Sequence, residues 1–312
     1  MTWSSTEVGV LARAVSRAPS VYNSQPWTIE AHPDWVDLYE RFEVSLPRHD
    51  PTGRDRVISC GAALTNLRLA LCALGWGTKT TLLPDSERPD LVARVSTNGR
   101  QVATGPQVEA YLAIFRRHSY RAPFSLTRPA PAELRELTCA VAETGTEARV
   151  IDARTESEPL AELLGYAGSV LRDDHAYQRE LSAWTAQIPH AADSVHTLPW
   201  SGLIHADTHL PDRITLTERL MREGLLVLLT PDDTRMDHFH AGAALEEIWL
   251  AAVARGLVAS VLTQPLHLPE VRAGLIERLG LPGYPQAILR VGHPAAPEPK
   301  LAERRLSANR SN

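Results

Sequence analysis

Gly61-Ala62-Ala63-Leu64 opens a stretch, residues 61–84, that returns later in the chain as residues 242–265. The two copies align without gaps, and nine of the twenty-four positions are identical, including a later glycine and the closing proline. Each copy begins as an apolar run with small residues and stops at the glycine, which predicts a buried helix packed closely against another helix. The repeat therefore predicts two related halves in one chain. Coincidence is the alternative, since Ala- and Leu-rich helices that end at glycine are common.

Two related halves of this kind usually pair around a pseudo-twofold axis, and the seam between them is the expected place for a ligand. We assign residues 1–105 to the first half and residues 106–312 to the second. Residues 154–210 have no counterpart in the first half, so they are predicted to be an insertion in the second. An insertion beside a binding seam is typical of a lid. The predicted fold class is α+β.

Hydrophobic periodicity and turn residues predict the individual elements. The insertion, rich in Trp, Pro and His, is expected to be partly irregular. Helices are predicted at residues 7–17, 54–74, 107–115 and 132–142, and strands at 27–30, 35–38, 78–83, 225–230 and 286–292.

Composition and charge exclude several classes of protein. The chain has 312 residues, of which 44% are hydrophobic, and a net charge of −5, so nucleic acid and membrane surfaces are not its expected partners. Its three cysteines, Cys60, Cys72 and Cys139, form no CxxC and indicate neither a disulfide framework nor a thiolate metal site. We find no apolar run near the roughly 20 residues that cross a bilayer and no leader peptide, so the expected location is the cytoplasm.

A polar loop bounded by prolines follows the first predicted helix. The prolines fix the backbone, and Ser20, Asn23 and Gln25 between them offer several hydrogen-bond donors and acceptors. This pattern predicts a binding loop, although a plain helix-to-strand connector pinned by Trp27 is an equal alternative. The loop reads Ala18-Pro19-Ser20-Val21-Tyr22-Asn23-Ser24-Gln25-Pro26-Trp27.

Arg117, Ser119 and Arg121 alternate along a segment that follows the helix predicted at 107–115. In an extended segment they lie on one side, with a hydroxyl between two guanidinium groups. Arg matches phosphate oxygens with its planar fork, and a Ser hydroxyl can complete the contacts. The segment therefore indicates a phosphate site. The alternative is that Arg116 and Arg117 only stabilise the C-terminal end of the preceding helix.

Together with the repeat, these two motifs resemble the FMN-dependent nitroreductase superfamily, and within it the flavin-binding Acg-like family of actinobacteria. In that superfamily an Arg-x-Ser-x-Arg/Lys segment holds the FMN phosphate, a Pro-Ser loop from the partner subunit covers the flavin, and a closing strand similar to 285–292 precedes basic residues. The resemblance implies a nitroreductase-like fold, FMN as cofactor and, by position in the second repeat, a backbone segment beside the flavin. The implied cofactor-binding residues are Pro19, Ser20, Asn23, Gln25, Arg117, His118, Ser119, Arg121, Gln264, Pro265, Leu266, Arg304 and Arg305, with Lys300 as a further candidate near the phosphate.

The chain departs from an ordinary nitroreductase homodimer, which has two equal sites. The first half carries the Pro-Ser loop but offers only Arg13 before it, and residues 143–146 of the second half lack the Pro-Ser pattern. Each half thus keeps one piece of the site. One FMN per chain at the seam is predicted, with the chain acting as a pseudo-dimer, either as a monomer or within a homodimer.

The reaction implied by the resemblance is NAD(P)H-dependent reduction of a nitroaromatic or a quinone. Because the flavin supplies the chemistry, no catalytic side chain is assigned. The chain has no GxGxxG, so a Rossmann NAD site is not indicated. The alternative function is non-catalytic storage or sequestration of FMN beneath the lid.

Histidine clusters offer a competing interpretation as a metal-dependent hydrolase. His205 and His209 have the i, i+4 spacing of helical ligands, and His238 and His240 form a second pair. The first pair lacks the Glu of HExxH and is followed at once by Pro211. No metal site is therefore predicted. The absence of GxSxG also argues against a serine hydrolase.

Overall fold

The computed structural model describes residues 3–141, 145–185 and 204–295. Its helices and strands are interspersed along the chain. They are, in order, α1 (Ser5–Val15), β1 (Trp27–His32), β2 (Trp35–Glu40), α2 (Arg54–Ala73), β3 (Trp76–Leu82), β4 (Leu91–Arg100), α3 (Gly105–Ile114), α4 (Pro131–Thr138), β5 (Glu147–Val150), α5 (Ser157–Asp173), α6 (His175–Thr185), α7 (Arg213–Met221), β6 (Gly224–Thr230), α8 (Arg235–Ala254), β7 (Val258–Leu262), α9 (Pro269–Leu279) and β8 (Tyr284–Gly292).

The strands form two antiparallel sheets with the same topology. The first has the order β1-β2-β4-β3 and the second β5-β6-β8-β7, so equivalent strands occupy equivalent places. In each sheet the long helix, α2 or α8, connects the second strand to the strand at the far edge. The predicted α+β class is confirmed. The identical strand order supports the repeat, whereas the boundary between residues 105 and 106 stays a prediction.

Helices α2 and α8 form the centre of the molecule. Each has twenty residues. In the alignment of the two repeats, the first residues of the helices, Arg54 and Arg235, align with each other, and so do their last residues. Both end before a glycine with positive φ, Gly75 at 81° and Gly256 at 78°, a conformation that glycine adopts without steric cost. Because both helices are buried between the sheets, their apolar residues extend around most of each helix.

Helix α2 also corrects an expectation drawn from composition. By length and apolar character it meets the criteria for a membrane span, which the sequence was expected not to do. However, 72% of its most apolar window is buried inside the protein, where the helix packs against α1, α3 and α8. An apolar core helix satisfies the same criteria as a membrane span, so α2 is accounted for by the core.

The insertion lies between the first two strands of the second sheet, β5 and β6. The equivalent strands of the first sheet are joined by a turn of two residues, Pro33 and Asp34. Where described, the insertion, which was expected to be partly irregular, is mainly helical, because α5 buries an apolar face that includes Leu160 and Leu164 in the core of the second half. Residues 186–203 of the predicted lid lie outside the described residues.

Candidate functional site

A cavity of about 740 Å³ lies at the seam, between the N-terminal loop and the edge strand β7. Both halves contribute to its walls. Its lining includes Arg13, Ser16, Arg17, Pro19, Ser20, Tyr22, Asn23, Gln25, His49, Asp55, Ser59, Arg117, His118, Ser119, Arg121, Leu245, Ser260, Thr263, Gln264 and Pro265. Arg304 and Arg305 lie outside the described residues. Of the other eleven residues implied by the resemblance, ten are in this lining, all except Leu266.

The Pro-Ser loop has an unusual backbone for a segment without glycine. Tyr22, Asn23 and Gln25 have φ angles of 54°, 57° and 48°, in the left-handed region that non-glycine residues rarely adopt. The Ser20 hydroxyl accepts a hydrogen bond from the Gln25 N–H at 3.0 Å and so holds the loop closed. Strained backbone of this kind is concentrated at functional sites.

The Arg-x-Ser-x-Arg segment runs beside β7 as an extended strand. Ser119 forms a parallel bridge with Ala259, and the Tyr120 N–H donates to the Ala259 carbonyl at 2.9 Å. This extended backbone brings Arg117, Ser119 and Arg121 to the same cavity. His118, which lies between two of them, also lines the cavity, so the predicted placement on one side of the segment stays a prediction.

Arg117 is held by three neighbours at the edge of the cavity. Its Nε lies 3.4 Å from Oε1 of Glu246, and its guanidinium carbon lies 4.7 Å above the ring of Trp249. A guanidinium N–H donates to the carbonyl of Arg17, which joins the segment to the helix that precedes the Pro-Ser loop. The side chain does more than stabilise a helix end, because it connects both predicted pieces of the site.

Glu246 is a buried carboxyl with no exposed surface. Burial raises its pKa to about 7, although the neighbouring Arg117 and Asn66 lower it in part. Among the described residues, neither carboxylate oxygen has a partner with hydrogen-bond geometry. The pair with Arg117 thus lacks hydrogen-bond geometry, and the raised pKa brings the protonation of Glu246 close to neutral pH.

Two further arginines belong to the site and were not predicted. Arg13 lies in the last turn of α1 and Arg17 two residues after its end, and both line the cavity together with Arg117 and Arg121. Their i, i+4 spacing directly before the Pro-Ser loop was the available signal. Together, these four arginines give one part of the cavity the charge that attracts an anion.

Residues 263–266 follow β7 and begin a short 3-10 turn. Gln264 lines the cavity, and its side-chain Nε2 is buried with no hydrogen-bond partner among the described residues. Leu266 is not among the residues that line the cavity: its carbonyl accepts a hydrogen bond from Arg54 at 3.0 Å, and its side chain packs in the core of the second half. Its backbone role beside the flavin stays a prediction.

A cluster of buried polar side chains beneath the loop was also missed. The Nε2 atoms of His267 and His49 lie 3.0 and 3.5 Å from the same oxygen, Oδ2, of Asp55. The hydroxyl of Tyr22 forms a 2.9 Å hydrogen bond with Nδ1 of His49. These residues are scattered through the sequence without a local motif, so no spacing could have indicated the cluster.

Electrostatics of the cluster follow from its burial. Burial alone would raise the pKa of Asp55, but His267 and Arg54 bring it well below its usual value. Burial lowers the pKa of His267 despite the neighbouring carboxylate. Burial and the charge of Asp55 raise the pKa of Asp50, which is also buried. Asp55 is thus the stable anion of the cluster.

Other predicted features lie apart from the cavity or outside the described residues. Lys300, Arg304 and Arg305 belong to residues 296–312, which are not described. The segment with His205 and His209 is a loop, not a helix, because Pro211 prevents a helical turn there, so the helical ligand spacing does not exist. His238 is instead paired with Asp233 at 2.9 Å.

Helix α6 of the insertion reaches the Pro-Ser loop. The ring of Trp184 stacks on that of Tyr22 with centroids 6.4 Å apart, and Tyr177 stacks on His49 at 6.0 Å. The carboxylate of Glu180 accepts the backbone N–H groups of Arg48 and His49. This end of the insertion therefore supports one wall of the cavity.

The donor set suits a phosphate attached to a planar ring system. Arginine guanidinium groups and the Ser119 hydroxyl can bind phosphate oxygens, and the unpartnered amide of Gln264 can donate to a ring carbonyl or nitrogen. The volume lies in the range of sites for small molecules and cofactors, roughly 300–1,000 Å³. These residues fit the FMN implied by the resemblance.

Comparison with known proteins gives relatives that match almost the whole chain, although no protein-family model matches it. The chain is 31% identical over 314 aligned residues to "Putative NAD(P)H nitroreductase Rv3131" of Mycobacterium tuberculosis, with 96% of this chain and 89% of the relative covered. It is 30% identical to "Putative NAD(P)H nitroreductase acg" of the same species, with 90% and 87% covered. A solved nitroreductase with bound FMN from Bacteroides fragilis aligns with 65% of this chain and 97% of its own at 16% identity and a TM-score of 0.42.

Proposed function

The chain belongs to the family of the mycobacterial NAD(P)H nitroreductase relatives, and from that premise we propose that it is an FMN-binding oxidoreductase that uses NAD(P)H to reduce nitroaromatics or quinones. The names of the relatives support an NAD(P)H-dependent activity. The residues of the seam cavity support FMN as the cofactor. We also propose a cytoplasmic location, on the basis of the sequence alone.

The observation that carries the proposal is that two distant motifs meet at one cavity. The Pro-Ser loop belongs to the first half and the Arg-x-Ser-x-Arg segment to the second, about one hundred residues later, yet Arg117 donates to the carbonyl of Arg17 directly before the loop. If the loop were only a connector and Arg117 only stabilised a helix end, the two would not be expected to line the same cavity. Their contact favours the binding interpretation of both motifs.

The arginines and Ser119 are proposed to hold the phosphate. Arg121 supplies charge-assisted donors, and Arg117 positions the segment through Glu246 and Trp249. Arg13 and Arg17 add positive charge from the opposite half. We therefore propose that the anionic end of the cofactor lies near the C-terminal end of α1.

Gln264 and the Pro-Ser loop are proposed to hold the ring system. The amide of Gln264 donates to the ring, and the loop, with Asn23 and Gln25, forms the wall that faces it. Bound FMN would supply hydride transfer from a nicotinamide to an acceptor. The residues of this chain position the ring and limit access of water to it.

One such site per chain is proposed. The second half has no counterpart of the Pro-Ser loop, and the first half has no counterpart of the Arg-x-Ser-x-Arg segment. The pseudo-dimeric arrangement therefore retains a single complete set of residues. Whether the chain is a monomer or part of a homodimer does not alter this count.

The test is a visible absorption spectrum of the purified chain, loaded with FMN, before and after anaerobic addition of NADPH and, separately, NADH. Bleaching of the flavin bands by either nucleotide, followed by reoxidation with a nitroaromatic or a quinone, is the expected result. A chain that takes up no FMN would contradict the proposal. Arg278→Ala, which removes an exposed ion pair with Glu162, is the control variant.

Storage of FMN is a second candidate function, favoured by the contact between α6 and the loop. Trp184 and Tyr177 of the insertion stack on Tyr22 and His49, so the insertion supports the wall of the site. A firmly covered flavin would exclude a nicotinamide. In the same experiment, a flavin that stays oxidised with both nucleotides but is reduced by dithionite would favour storage.

A further inference from the structure

We propose that His49, Asp55 and His267 bind one divalent transition-metal ion of the zinc type at the seam, beneath the Pro-Ser loop. One nitrogen or oxygen from each residue lies within 4.8 Å of the others. His49 and Asp55 come from the first half and His267 from the second. His49 and Asp55 also line the seam cavity in which FMN is proposed to bind, so metal binding is tested on the flavin-free chain.

Distances within the cluster suit a shared ion. Oδ2 of Asp55 lies 3.0 Å from Nε2 of His267 and 3.5 Å from Nε2 of His49. Ligands at about 2.1 Å from one ion are about 3.0 Å apart at a right angle and about 3.4 Å apart at a tetrahedral angle. Two of the three separations therefore match those of ligands on one ion, and the third, between the two imidazole nitrogens, is within 4.8 Å.

A second observation that points to an ion, besides the distances, is the unpartnered Nε2 atom of His49. The His49 side chain is 1% exposed, and this atom has no hydrogen-bond partner among the described residues. An unpartnered buried polar atom costs about 1–3 kcal/mol. Coordination of an ion would satisfy this nitrogen, whereas its 3.5 Å separation from Asp55 does not form a hydrogen bond.

Hydrogen bonds from neighbouring residues fix the orientation of the proposed ligands. In metal sites, residues that hydrogen-bond to the ligands have the same role. The hydroxyl of Tyr22 engages Nδ1 of His49 and so directs Nε2 toward Asp55. Arg54 binds the other oxygen of Asp55, Oδ1, which leaves Oδ2 for the ion. Arg54 also donates to the Thr263 and Leu266 carbonyls and fixes the segment that carries His267.

Charge in the cluster also favours a cation. Asp50 is 5% exposed, and its Oδ1 has no hydrogen-bond partner in the described part of the chain. The carboxylates of Asp50 and Asp55 repel each other, and Arg54 offsets only one negative charge. Imidazole and carboxylate ligands together suit Zn²⁺ better than Mg²⁺ or Ca²⁺, which prefer oxygen ligands alone.

The test measures Zn²⁺ binding by the full chain after removal of metals with a chelator and dialysis. Elemental analysis after gel filtration is expected to give one zinc per chain, and Zn²⁺ is expected to raise the melting temperature. His49→Gln and His267→Gln are expected to weaken binding at least ten-fold and to abolish the rise. His238→Gln, which alters a histidine outside the cluster, is expected to retain both.

The visible absorption spectrum of bound Co²⁺ distinguishes a variant that has lost metal coordination from one that has lost stability. A tetrahedral Co²⁺ spectrum in the wild-type chain that is lost in both ligand variants, while their circular dichroism stays native, supports the site. Zinc uptake that is the same in the wild-type chain, His49→Gln and His267→Gln would overturn the proposal, as would no uptake by the wild-type chain. Both measurements use the flavin-free chain, so a failure of FMN binding does not affect them.

Discussion

Gly61 and Gly242 lie against each other at the point where α2 crosses α8. A Cβ atom at Gly61 would be 2.1 Å from the carbonyl oxygen of Phe239 and 3.1 Å from the carbonyl carbon of Gly242. A Cβ atom at Gly242 would be 1.9 Å from the carbonyl oxygen of Ile58. Ile58 lies three residues before Gly61, and Phe239 lies three residues before Gly242. The two contacts therefore involve equivalent positions of the two repeats. The opening glycine of the repeat therefore allows the close packing of the two halves.

Gly242→Ala and Gly61→Ala should both strongly destabilise the protein. The new methyl group meets backbone atoms, which cannot rotate away, so the helices must separate. We expect a loss of at least about 3 kcal/mol in the free energy of unfolding, measured by urea denaturation. Gly9→Ala in α1 is the control, because no atom lies within 4 Å of its Cβ position. An unchanged urea midpoint for Gly242→Ala would refute this account of the crossing.

Arg121→Ala should weaken FMN binding by ten- to one-hundred-fold. Charge-assisted hydrogen bonds contribute about 1.5–3 kcal/mol, and each 1.4 kcal/mol is a factor of ten. Adding Arg117→Ala should abolish flavin retention, although it also leaves Glu246 without its cation. Fluorescence titration with FMN measures the affinity, with Arg278→Ala as the control. A double variant that purifies with stoichiometric FMN would disprove the phosphate assignment.

Gln264→Leu should have opposite effects on stability and on binding. The amide is buried without a partner, so its removal should raise the stability of the flavin-free protein by up to about 1 kcal/mol. The same change removes a donor to the ring and should weaken FMN binding about ten-fold. Thermal melting and FMN titration measure the two effects. Unchanged FMN affinity would show that the amide does not contact the ring.

Glu246→Gln should remove part of the pH dependence of stability. Between about pH 4.5 and 7 the folded chain holds a proton on Glu246 that the unfolded chain has lost, so the free energy of unfolding falls as the pH rises through this window. The full shift corresponds to about 3 kcal/mol at most. Above pH 7 this contribution is constant.

Urea denaturation of the flavin-free chain at several pH values measures this dependence. The difference between the wild-type chain and Glu246→Gln should change through the window from pH 4.5 to 7. Glu136→Gln, which alters an exposed carboxylate paired with Arg255, should leave the pH dependence unchanged. Parallel pH curves for Glu246→Gln and the wild-type chain would contradict the raised pKa.

Sequence periodicity was sufficient to predict the central helices because the pattern of apolar residues in a helix is local. The repeat predicted residues 54–74 as a helix, and α2 spans Arg54–Ala73. The strands β4, β5 and β7 were not predicted, since their pairing depends on partners distant in sequence. The helices α5 and α6 were missed because the Trp, Pro and His content of the insertion was taken as a sign of irregular structure.

The site was predictable only where it consists of local motifs. The Pro-Ser loop and the Arg-x-Ser-x-Arg segment are each continuous, and both line the cavity. The contact of Arg117 with Glu246 joins residues far apart in sequence, as does that of Asp55 with His267, so only the fold reveals them. The roles of the lining residues toward FMN stay predictions until binding is measured.

The most direct test of the central claim is the number of FMN molecules bound per chain, measured by equilibrium dialysis and native mass spectrometry of the full chain. One complete site at the seam predicts one FMN per chain, lost in the Arg117→Ala, Arg121→Ala double variant and retained in Arg278→Ala. Two FMN molecules per chain would show that both halves hold a site. No FMN at all would contradict the account of the cavity.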